Sequence, residues 1–208
     1  MMSRNYNLVA PFYDALAGLV FGEHLLEAQC SFLHLLPKAG RVMIVGGGSG
    51  KILQALGRTR PHLEILYVEA SSRMVALAQK QKFPNKVQWF CQDHLPGVSQ
   101  LEAVIFPFFL DQFLQHEAGR WVQEAANILQ REGQILFTDF FPPDVSNGGA
   151  WKQRLLLWGM YRFFRIFCGI PAQRLPDWEA LFSPEQWTES ARKEYLGKWV
   201  TSKVYRLA

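Results

Sequence analysis

Five residues, Gly46-Gly47-Gly48-Ser49-Gly50, follow the apolar run Val42-Met43-Ile44-Val45 and lead into a helical pattern that starts at Lys51. A buried strand that turns through glycines into a helix offers unpaired backbone N–H groups to a ligand and lets that ligand approach the chain closely. Glu69 lies 23 residues past Gly46. At that distance in a nucleotide-binding α/β unit, a carboxylate reaches a ribose and accepts from both of its hydroxyls. Asp93 closes a later strand, where it can accept from the exocyclic amine of an adenine while Met74 covers one face of the ring. His94 beside it reads equally well as a contact of that ring or as an exposed loop residue. The glycine run does not fit a triphosphate loop, because Lys51 is followed by Ile52 rather than Ser or Thr, and Lys51 stands where a dinucleotide fingerprint has its third glycine. A second set of groups could move a proton: Tyr13, Asp111, His116 and Asp139, of which Tyr13 and Asp111 are the stronger candidates and His116 fits better as the start of a helix.

The elements that must position these groups alternate. Strands are expected over Val42–Val45, Leu63–Val68, Val87–Cys91, from Ala103 to Ile105 or Phe106, and Gln134–Phe140. Pro107 ends the fourth, since proline cannot sit in the middle of a ladder. Helices are expected over 23–36, from Lys51, over Arg73–Lys82 with a Ser cap, and over His116–Leu129. Such an order favours a parallel sheet with ligands at the carboxyl ends of its strands. The alternation breaks at Phe141-Pro142-Pro143. Trp151–Ile170 follows, a helix with bulky residues on nearly every side and Arg154, Arg162 and Arg165 among them, which packs into the core, covers an apolar ligand or rests on a membrane surface. Two strands around Gly197-Lys198, Ala191–Leu196 and Trp199–Leu207, close the chain as a hairpin.

At 208 residues the chain is read as one domain: a helical cap over 1–40, a core over 41–140, a helical region over 141–189 and the hairpin over 190–208. Apolar residues make up 49% and charged residues 19%, which excludes a disordered chain, and a net charge of +4 does not by itself point to nucleic acid. The three cysteines, Cys30, Cys91 and Cys168, show no metal-ligand spacing and read as buried, reduced thiols of a cytoplasmic protein. No signal peptide and no apolar run of transmembrane length is read from the sequence.

These motifs together resemble class I S-adenosylmethionine-dependent methyltransferases. Val42–Gly50 is similar to the first family motif, Val68-Glu69-Ala70-Ser71 with Met74 to the second, and Cys91-Gln92-Asp93 to the third. Leu101–Phe113, with Glu102 and Leu110, is similar to the fourth, and Arg131–Phe140 to the strand after it. Ala10-Pro11-Phe12-Tyr13-Asp14 resembles a segment of the quinone-biosynthesis and small-molecule branch. The resemblance implies a three-layer α/β/α sandwich on a mostly parallel seven-stranded sheet with a C-terminal antiparallel strand. It also implies S-adenosyl-L-methionine held by Tyr13, Val45, Gly46, Gly47, Gly48, Gly50, Glu69, Ala70, Met74, Asp93, His94 and Phe106, no metal, and a small-molecule acceptor. Two positions depart from the pattern. Ile44 replaces the usual acidic residue two before Gly46, and Phe106-Pro107 is not the N-methylating form of the fourth motif, which speaks against DNA adenine methylation. A non-catalytic binder with a blocked pocket and a nicotinamide-dependent oxidoreductase are the rival readings.

Overall fold

The structure, a computed structural model, describes residues 21–142 and 150–208. The expected cap residues Tyr13 and Asp14 lie outside the described residues. Helix α1 (His24–Cys30) and a 3₁₀ turn (Leu33–Leu35) lead into β1 (Ala39–Val45), α2 (Lys51–Thr59), β2 (His62–Val68), α3 (Ser72–Ala78), β3 (Lys86–Phe90) and β4 (Leu101–Pro107). A second 3₁₀ turn (Leu110–Gln112) precedes α4 (Gln115–Ile128), β5 (Leu129–Phe140), α5 (Ala150–Cys168), α6 (Trp178–Leu181), β6 (Trp187–Tyr195) and β7 (Val200–Leu207).

The seven strands form one sheet in the order β3-β2-β1-β4-β5-β7-β6. The first five strands are parallel, and β7 enters antiparallel between β5 and β6. Side chains alternate between the faces of a strand, so each strand supplies both cores. Met43, Val45, Leu66, Val68, Val104, Phe106, Ile135 and Phe137 pack with α4 and Trp178. Val42, Ile44, Ile65, Tyr67, Ala103, Ile105 and Leu136 pack with Ile52, Leu53 and Leu56 of α2 and with Leu33 and Leu36. Helices on both faces of a buried parallel sheet make the three-layer architecture that the resemblance implies.

Several boundaries differ from expectation. The helix expected over 23–36 breaks after Cys30 into a turn and a 3₁₀ segment. Strand β4 runs on to Pro107, paired with Thr138. Its pairing with β1 ends at Ile44 and Ile105, so Pro107 has a ladder on one side only, where a missing N–H is tolerated. Strand β5 begins five residues early, at Leu129, with Glu132 at a left-handed φ of 61° where a turn was expected. Helix α3 stops at Ala78 rather than Lys82, and β6 starts at Trp187 rather than Ala191. The expectation of buried thiols holds for Cys168 alone: Cys91, at the end of an edge strand, is exposed and Cys30 is half-buried.

Candidate functional site

A cavity of about 990 Å³ lies at the carboxyl ends of β1 to β4, lined by Val45 to Ser49, Glu69, Ala70, Met74, Gln92, Asp93 and Pro107 to Phe109. Its floor is the glycine turn. Gly46 sits at φ 70°, and a Cβ there would run into the ring of Phe109. That ring cannot yield easily: it stacks on Phe106 at 5.7 Å and meets Trp121 edge-on at 4.9 Å. Gly48, at φ 60°, faces open space instead, so a side chain there would occupy the room a ligand needs. The phenol of Tyr67, buried under the turn, donates to the Gly48 carbonyl at 2.9 Å and holds the loop from below.

Glu69 clamps the same turn from the cavity side. Its Oε2 accepts the Gly48 N–H at 3.1 Å and its Oε1 accepts the Ser71 N–H at 2.9 Å. Burial raises its pKa, and the backbone N–H groups of Ser71, Gly48 and Ala70 oppose that rise. Among the described residues no lysine or arginine pairs with it. A carboxylate offers about four acceptor sites, so acceptor capacity remains for a vicinal diol. Ser71 also caps α3 by accepting the Met74 N–H at 3.2 Å, which fixes Met74 in the cavity wall. An adenosyl group fits these residues: room above Gly48, a buried carboxylate for the ribose, and Met74 with Asp93 beyond it.

Three of the expected cofactor contacts lie outside the cavity lining. Phe106 is fully buried beneath the sheet, because strand parity puts it with Val104 in the core, and it lines no part of the cavity. Gly50 is buried at the start of α2, where a Cβ would meet Ala78 at 2.7 Å, so its glycine serves helix packing. His94 is exposed outside the cavity, with Nδ1 3.3 Å from the Asp93 carboxylate. The two departures from the family pattern, Ile44 and Phe106, both lie in the core, so neither plugs the cavity as a decayed binder would require.

Asp111 lines a second, smaller cavity of about 80 Å³ with Phe108, Gln112, Phe140, Leu157, Met160, Tyr161, Phe164 and Ile170. It adjoins the larger cavity, sharing Phe108, Gln112 and Ile170 with it. Asp139, fully buried at the end of β5, underpins this corner. Its Oδ2 accepts the N–H groups of Leu110 (3.1 Å) and Asp111 (3.2 Å), and its Oδ1 accepts that of Phe140 (2.9 Å). Burial pushes the Asp111 carboxyl up to about 7. Burial and then the neighbouring Asp111 charge raise Asp139 well above the usual carboxylate range, against those three donors. Two carboxyls so placed titrate as a pair, shifted upward together. The Tyr161 hydroxyl donates to the Asp111 carbonyl at 3.1 Å and ties α5 to this corner. His116 is exposed in the first turn of α4 and lines neither cavity.

The sequence reading missed several lining residues. Leu25, Leu26 and Gln29 of α1, Arg120 and Trp121 of α4, and Arg162, Arg165 and Ile166 of α5 all face the larger cavity. None follows a strand, so no local pattern marks them. Glu102, at the usual acidic position of the fourth motif, serves the sheet: Oε2 accepts the Arg41 N–H at 2.5 Å.

Comparison with known proteins agrees with this geometry. Residues 43–137 match a family described as "Methyltransferase domain". The chain is 24% identical over 149 residues to a malonyl-[acyl-carrier protein] O-methyltransferase of Bacillus cytotoxicus, covering 67% of this chain and 50% of that protein. It is 25% identical over 209 residues to the ubiquinone/menaquinone biosynthesis C-methyltransferase UbiE of Syntrophotalea carbinolica, covering 92% and 81%. Among solved structures, the magnesium protoporphyrin IX methyltransferase ChlM of Synechocystis, with bound S-adenosylhomocysteine, superimposes with a TM-score of 0.63 at 16% identity, over 89% of this chain and 83% of that one. This chain spans half the length of the Bacillus relative.

Proposed function

We propose that the chain is a class I S-adenosylmethionine-dependent methyltransferase that transfers a methyl group to a small acceptor that is aromatic or apolar. The observation that carries this reading is the junction of the two cavities. The larger has the glycine turn and the Glu69 carboxylate, and the smaller is walled by Phe108, Phe140, Tyr161 and Phe164, with Asp111 among them. S-adenosylmethionine, when bound, supplies an electrophilic methyl group, so the protein's work is alignment and desolvation. Glu69 and the backbone at Gly46 to Gly48 hold the adenosyl end. The aromatic wall orients the acceptor and excludes water.

Asp111 takes the proton from the acceptor where the attacking atom must lose one. A base with a pKa of about 7 is ionised in part near neutrality and still strong enough to accept. Asp139 is a positioning residue: its carboxyl accepts the adjacent N–H groups of Leu110 and Asp111 and so holds the Asp111 backbone. The ubiquinone/menaquinone biosynthesis relative supports a small acceptor, whereas the Bacillus relative acts on a malonyl group carried by a protein.

Isothermal titration with S-adenosylhomocysteine tests the reading. Binding in the micromolar range is expected. Absence of detectable heat, together with binding of a reduced nicotinamide cofactor, would transfer the site to an oxidoreductase.

A further inference from the structure

We infer that α5 is the surface by which this protein docks on an anionic lipid bilayer, next to the mouth of its own cavity. Between 150 and 168 the chain has four basic residues, Lys152, Arg154, Arg162 and Arg165, and no Asp or Glu. Spacings of three and four put Trp151, Leu155, Trp158, Arg162, Arg165 and Ile166 on one stripe of the helix. That stripe faces outward: Trp151 is 60% exposed, Leu155 58%, Trp158 63% and Ile166 66%. The opposite side is anchored, with Tyr161 and Cys168 buried and Leu157, Phe163 and Phe164 packed against them. An outward stripe of this size is not explained by packing, since soluble surfaces rarely carry contiguous large apolar groups.

Its chemistry selects the occupant. Tryptophans with arginines and lysines, and no acid on the helix, match the headgroup region of an anionic membrane: indoles settle at the interface, apolar groups enter the acyl boundary, and basic side chains reach the phosphates. A second copy of this chain would have to bring four like charges against four. No helix among the described residues is long and apolar enough to cross a membrane, and the association proposed for α5 is peripheral. Arg162, Arg165 and Ile166 also line the larger cavity. The docked helix therefore holds that cavity's mouth at the lipid surface, where an apolar acceptor would be collected. This last step rests on the methyltransferase reading; the docking does not.

Vesicle flotation of the full chain tests the docking. Three preparations are compared: the wild type, a Trp151→Ser/Trp158→Ser variant and a Lys152→Glu/Arg154→Glu variant. None of the four substituted residues lines either cavity. The wild type should float with phosphatidylglycerol-containing vesicles and stay behind with pure phosphatidylcholine, and salt should release it. The charge variant should partition more weakly by about fivefold or more for each charge removed, given roughly 1 kcal/mol per basic residue near an anionic surface. The tryptophan variant should lose most of its binding. Flotation with neither lipid, or equally with both, overturns the proposal. So does a concentration-dependent dimer, read by light scattering, that the tryptophan variant abolishes. S-adenosylhomocysteine titration of each preparation separates the two readings: retained cofactor affinity without flotation removes only the membrane surface, and flotation without cofactor affinity removes only the enzyme.

Discussion

Asp139 accepts the backbone N–H of Asp111 at 3.2 Å while its own carboxyl is fully buried, so it fixes the position of Asp111, whose charge in turn makes Asp139 harder to ionise. A base in the acceptor cavity must be ionised to work. The rate constant kcat/KM is therefore expected to climb as pH rises through about 7 and to level off above it. Asp111→Asn should remove that limb and lower kcat/KM by ~100-fold or more, with S-adenosylhomocysteine affinity within a few-fold of wild type. A wild-type profile flat between about pH 6 and pH 8 assigns the proton transfer elsewhere.

The same shifts govern stability, in the opposite sense to most native acids. The folded pKa of Asp111 is raised from 3.8 to about 7, and that of Asp139 lies well above its usual value. Between those limits the folded chain holds protons that the unfolded chain has already released. Stability therefore falls as pH rises from about 4 to about 7, by up to ~1.4 kcal/mol per pH unit per proton. Urea midpoints should decline over that window. The decline should be shallower in Asp111→Asn, and an identical slope in the two proteins would contradict the assignment.

The Glu69 carboxylate stabilises the glycine turn through Gly48 and has acceptor capacity left for a diol. Glu69→Ala is expected to weaken S-adenosylhomocysteine binding by at least ~100-fold, from two hydrogen bonds to a charged group at about 1.5 kcal/mol each. Calorimetry reads this directly, and unchanged affinity means the ribose is held by other groups.

Gly46→Ala drives a methyl group into the Phe109 ring, which Phe106 and Trp121 hold in place. Overpacking of this kind costs about 1–3 kcal/mol, and the left-handed φ adds roughly 1–2 kcal/mol. A lowered thermal midpoint is expected. Gly48→Ala has the same φ term without the clash, so it should be the milder change in stability while still crowding the cavity.

What the sequence showed plainly was whatever is encoded next to itself in the chain. The glycine turn, Glu69 at the end of β2 and Met74 one cap later are local patterns, and the cavity forms around all of them. The burial of Phe106 is legible in its own strand: Val104 and Phe106 share a face, and that face is core. The partnership of Asp111 with Asp139 joins a loop to the end of a strand 28 residues later. The walls supplied by α1, α4 and α5 depend on how helices lie across the sheet, and side-chain periodicity gives no sign of that. Pro107 misled in the opposite direction, because the rule against proline in a ladder applies only where both neighbours are present, and β1 has ended there.

A crystal structure of the chain with S-adenosylhomocysteine bound tests the central claim most directly. The ribose hydroxyls should lie within hydrogen-bond distance of the two Glu69 oxygens, with the sulfur turned toward the cavity that Asp111 lines. An adenosine found away from the turn at 46–48, or a sulfur facing away from Asp111, would contradict it.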